Sequence, residues 1–142
     1  MILPVVILAL AGVAAEDLKT VAAEPNPVKR ARLALVHGEH AATKAGEACQ
    51  GSEYDQCNQL LSEAEESVEL ASQSLDRAGI DAARNPRHHK DAEIKTRKIL
   101  RLVDALRSYI HPEDLVHYEA VRKKVSDIND RLLSAIMSKK KK

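Results

Sequence analysis

Two cysteines, six histidines and an uneven distribution of charge are the parts of this 142-residue chain with chemistry to offer. Cys49 and Cys57 sit in the stretch EACQGSEYDQCNQ. Their spacing is not the C-x-x-C of thioredoxin-like redox sites, and no C-x-x-C-H for haem attachment occurs. Zinc would need two further ligands, and only Glu47, Glu53 and Asp55 are near in sequence, with no histidine among them. In an exported chain the expected state is a structural disulfide between two helix ends, worth roughly 2–3 kcal/mol in the chain-entropy account. Buried free thiols and a metal or redox role are the alternatives.

The histidines offer less. His37 and His40 share a helical face, and His88 and His89 are adjacent. Either pair would serve a loose transition-metal site; solvated or partly packed rings are the default. A dinuclear site in a helical bundle uses Glu-x-x-His motifs, whereas only Asp114-x-x-His117 occurs here. We expect no metal and no cofactor. Leu33, Val36 and His40 form an apolar strip expected to pack on the other helical hairpin, or otherwise to meet a protein partner or a second copy of the chain.

Charge is segregated along the chain. Residues 16–77 hold twelve acids and six bases, and residues 78–142 hold nine acids and sixteen bases. Acids gather at Glu63, Glu65, Glu66 and Glu69, and cations at Arg87, Lys90, Arg97, Lys98 and Arg101. One expectation is that these acidic and basic segments are neighbouring helices. The other is an anion-binding face for lipid headgroups, polyanions or an acidic protein. Specific nucleic-acid binding is not expected, because no aromatic residues interleave the cations. Catalysis is not expected either: no Gly-rich phosphate loop, G-x-S-x-G or H-E-x-x-H is present.

The elements that must position these residues read as helices. Three Tyr, no Trp and no Phe leave Ala, Leu and Val to supply the core, which favours closely packed helices. The opening MILPVVILALAGVAAED has the apolar run and small residues of a signal peptide, cleaved after Ala15 or, as a second site, after Ala23. The chain is therefore expected to be periplasmic or extracellular, with residues 16–26 a linker and Lys139–Lys142 a solvated basic tail. Asn26-Pro27 can open a first helix, whose seam runs Val28, Ala31, Leu35, Gly38, Ala42, Ala45, Cys49. Gly51-Ser52 ends it, and Ser52 can cap the next. The second seam runs Cys57, Leu61, Ala64, Val68, Ala71, Leu75, Ala78, before Gly79. A third carries His89, Ala92, Thr96, Ile99, Val103, Leu106 and Ile110, and is broken at His111-Pro112. The fourth carries Tyr118, Val121, Val125, Ile128, Leu132 and Ala135. The expected fold is all-α: an antiparallel four-helix bundle of two hairpins, with helices over about 27–49, 53–78, 88–110 and 112–138.

The segment AGEACQGSEYDQCNQLLSEA resembles a tetratricopeptide helical hairpin: Tyr54, Cys57, Leu61 and Ala64 fall at that family's offsets, and Ala45-Gly46 resembles its first-helix signature. The resemblance covers some twenty residues, about 45–64, and implies a helical hairpin with a protein-binding surface. As a whole, the chain looks like small exported bacterial helical-bundle proteins of unknown function. The expected function is thus a non-catalytic protein-interaction or structural role in the cell envelope. Anion or membrane-surface binding through the basic third helix is the alternative, followed by metal binding.

Overall fold

The computed structural model describes residues 17–138, and no strand occurs among them. Five α-helices follow one another: α1 (Leu18–Ala22), α2 (Pro27–Gln50), α3 (Tyr54–Ala78), α4 (Arg87–Asp104) and α5 (Leu115–Met137). The four helices expected from sequence are α2 to α5. The signal peptide expected over residues 1–15 and the solvated tail expected at Lys139–Lys142 lie outside the described residues.

α2 starts as its sequence predicts. Asn26 accepts hydrogen bonds through Oδ1 from the Val28 and Lys29 amides at 3.0 and 3.1 Å, and Pro27 is the first helical residue. The turn to α3 differs in detail. Ser52 does not cap α3; it adopts the left-handed backbone conformation at φ 61°, and Glu53 occupies the cap position without a side-chain bond. At the far end of α3, Gly79 takes φ 66°, a geometry that costs glycine little.

α2 and α3 run in opposite directions and share the largest interface. Cys49 and Cys57 join them at one end, and Arg30 Nε donates to Ser74 Oγ at 2.8 Å near the other. Small residues make the closeness: Ala31, Ala34, Ala41, Ala42, Ala45 and Ala48 of α2 are all buried. A Cβ on Gly38 would stand 3.1 Å from both Ser67 Cβ and Ile99 Cδ1. Gly38 therefore marks a height at which α2 touches α3 and α4 together.

α4 and α5 are also antiparallel. Tyr118 is fully buried and donates its hydroxyl to the Val103 carbonyl at 2.8 Å; farther along, Asn129 Nδ2 donates to the Glu93 carbonyl at 3.0 Å. The third expected helix is shorter than predicted. α4 stops at Asp104, a 3-10 turn follows at Arg107–Tyr109, and Pro112–Asp114 forms a second 3-10 turn leading into α5. The Val103 carbonyl accepts the Leu106 amide at 3.0 Å, a tightened turn, and the Tyr118 hydroxyl as a second donor. Pro112 also holds His111 in an extended conformation at ψ 138°, so the chain must unwind before it.

The two pairs meet with like directions. α4 lies along α2 and α5 along α3, and both neighbouring pairs run parallel: Lys98 reaches Glu39, while Ser62 meets His117, Glu69 meets Lys124 and Ser72 meets Arg131. α3 and α4 share only a small contact across the core. The segment expected to be a linker contains α1, whose Val21 is 1% exposed against α2 and α3. Cleavage after Ala23 would remove this buried valine, whereas cleavage after Ala15 would keep it.

Candidate functional site

The outer face of α4 is the most distinctive chemical surface of the protein. Arg87, Lys90, Ile94, Arg97 and Arg101 recur at spacings of three and four, which keeps them on one face, and all are exposed. Lys98 flanks the row and is exposed too. The ladder spans about 21 Å at the helical rise per residue. The three acids of α4 lie off it. Glu93 is buried toward α5, Asp104 binds Arg122 of α5 at 2.5 Å, and Asp91 lines a crevice toward α2.

Neutralisation within the chain is partial. Arg97 meets Glu93 at 3.2 Å and Lys98 meets Glu39 at 2.7 Å. Arg87, Lys90 and Arg101 have no ion-pair partner among the described residues. The helix start adds to the positive field. Pro86 sits at the cap without a side-chain bond, and the first turn reads Arg87, His88, His89, Lys90 with no acid. Cations there oppose the helix dipole, so this end of α4 is electrostatically unfavourable in isolation.

Ile94 is what the sequence reading missed. It is 54% exposed in the middle of the cationic ladder. Its signal was available: 87, 90, 94, 97 and 101 form a second heptad-like row, outside the core seam. The five cations named from sequence do share this exposed side of α4, but the acidic helix is not their neighbour. Glu69 of α3 instead meets Lys124 of α5 at 3.5 Å, and Glu63 meets His37 of α2 at 3.7 Å.

The remaining expected groups are dispersed. Cys49 and Cys57 form the expected disulfide, with Cα atoms 5.3 Å apart, at the α2–α3 turn. The Leu33, Val36, His40 strip is not covered by the other helical pair. Leu33 is half-buried against the core edge, whereas Val36 is 41% exposed and His40 is exposed. His37 and His40 accordingly face different surroundings, as do His88 and the buried His89. No group of three or more His, Cys, Asp or Glu able to hold a metal occurs among the described residues.

Two polar features sit inside. Glu93 accepts from Arg97 and Asn129, an interhelical link at the α4–α5 seam. His89 is 6% exposed with Nδ1 unpartnered, and burial pushes its pKa below the usual imidazole value; Asp76 opposes that shift and His88 adds to it. Between α2 and α4 a crevice of about 50 Å³ is floored by Ala31, Leu35 and Ala92. This is about two water volumes and far below the few hundred Å³ of a drug-sized ligand pocket.

Comparison with protein-family models, with curated proteins and with solved structures finds no match.

Proposed function

We propose that this is an exported, non-catalytic helical protein of the cell envelope, and that it works by docking the outer face of α4 onto an acidic surface. The observation that carries the reading is the cationic ladder with Ile94 at its centre, of which Arg87, Lys90 and Arg101 have no ion-pair partner among the described residues. Long-range attraction would steer an acidic partner to the row, and Ile94 would add apolar contact once water is displaced. In this reading α2–α3 and α4–α5 are two helical hairpins joined as a four-helix bundle, which holds the face of α4 rigid.

Export is supported by the leader-like opening and by a disulfide, a bond that persists in oxidising compartments. No helix among the described residues is long and apolar enough to cross a membrane. The tetratricopeptide-like turn around Tyr54 and Cys57 fits the same picture of a protein that binds proteins.

The test is charge reversal. Arg97, Lys98 and Arg101 replaced together by Glu should abolish salt-sensitive binding to an acidic surface, assayed on vesicles with anionic headgroups and by crosslinking in the native envelope. Binding as strong in the variant as in the wild type would sink the reading.

A further inference from the structure

The acidic counterpart of α4 lies on the same molecule, on the opposite side. α3 carries Asp55, Glu63, Glu65, Glu66, Glu69 and Asp76 against a single base, Arg77. α2 and α5 each pack against both α3 and α4, so those two helices occupy opposite corners and turn their outer faces away from each other. Their charges are also level. A Cβ added to Gly38 would stand 3.1 Å from both Ser67 Cβ of α3 and Ile99 Cδ1 of α4, which puts these two residues at a similar height along the helix axes. Glu66 and Glu69 flank the first, and Arg97, Lys98 and Arg101 surround the second. Toward the other end, Asp76 is close enough to act on the charge of His89, whose neighbours on α4 are Arg87 and Lys90.

Resting on the docking role of α4, we infer that its acidic partner is the outer face of α3 on a second copy of this chain, so that copies associate side by side and head to tail. A sideways shift with no slide along the axis sets Glu63, Glu66 and Glu69 against Arg97, Lys98 and Arg101. The same shift brings half-buried Leu70, one turn past Ser67, near the height of Ile94. Glu66 is exposed and has no ion-pair partner among the described residues. The contact is heterologous: each copy offers one face of each kind, so association continues into a ring or filament and does not stop at a dimer. A strip about 20 Å long and one helix wide is smaller than the roughly 1,000 Å² total of a stable interface. Each contact is therefore weak and salt-sensitive, and assembly gains from repetition.

The experiment uses the disulfide-bonded chain in sedimentation velocity across a concentration series. Wild-type protein is expected to form species beyond a dimer at low ionic strength and to revert to monomer in about 0.5 M salt, where charges are screened within a few ångströms. Two variants, E63K/E66K/E69K and R97E/K98E/R101E, should each be monomeric alone at low salt and co-assemble when mixed. Circular dichroism on each variant separates lost association from lost folding. A wild type that stays monomeric at low salt overturns the inference, as does association that survives reversal of α3 or a mixture that stays monomeric. If the monomer still binds anionic vesicles through α4, self-docking falls and the docking role stands with lipid as the occupant. If it binds neither, both fall.

Discussion

His89 is buried with an unpartnered Nδ1, so its neutral form suits the fold and its charged form does not. The folded pKa is lowered, hence the unfolded chain binds more protons below the ordinary value of about 6.5. Stability from this group is full above that value and is lost as pH falls through the folded pKa. Thermal unfolding temperature should decline from pH 7 toward pH 5, and His89→Leu should flatten the decline. An unchanged slope in that variant would show that other groups carry it. Two glycines make a second comparison. Ala at Gly38 would press Cβ against Ser67 Cβ, which cannot swing away, and against Ile99. Overpacking of about 1–3 kcal/mol should exceed a helix-propensity gain of about 1 kcal/mol. Ala at Gly46 meets only the end of Leu106 at 3.2 Å, so the propensity gain should dominate. Urea midpoints should therefore fall for Gly38→Ala and hold or rise for Gly46→Ala. The seam in the sequence placed Gly38 on a core face, but did not reveal that two helices converge on it.

At the level of elements, the disulfide closes a short loop across the α2–α3 turn. Replacing both cysteines by Ser should cost about 2.5 kcal/mol by loop-closure entropy, read as a lower urea midpoint with the helical spectrum retained. α4 carries a different tension. Arg87 stands in the first turn of an uncapped helix, where the dipole disfavours a cation. Arg87→Glu should raise stability by about 0.3–1 kcal/mol while weakening docking through α4. Equal loss of both would argue that Arg87 serves the fold. Helix starts and stops were largely legible: Asn26-Pro27, Gly79 and Pro112 each act through local backbone chemistry. The early end of α4 was not, because Tyr118 lies on α5 and meets Val103 only after the two helices pack. Ser52 in the left-handed conformation was likewise hidden, since Gly51 is the cheaper residue for it.

For the molecule as a whole, α1 belongs to the packed core through Val21. Val21→Asp should destabilise by about 3 kcal/mol, since it removes apolar burial and forces a charge inside. A near-neutral effect on the urea midpoint would show that α1 only rests on the surface. That outcome bears on export, because a mature chain beginning after Ala23 would lack the contact. The sequence alone determined the helical class, four of the five helices and the cysteine pairing. Those follow from periodicity, caps and spacing, which act within a few turns of chain. It also determined that α3 is acidic and α4 basic. Only the tertiary structure decided that these helices occupy opposite corners, with their charges level and facing outward. Heptad seams show which faces are buried, but they leave open which helices become neighbours; that choice is made by the packing of Ala and Gly surfaces around a shared core.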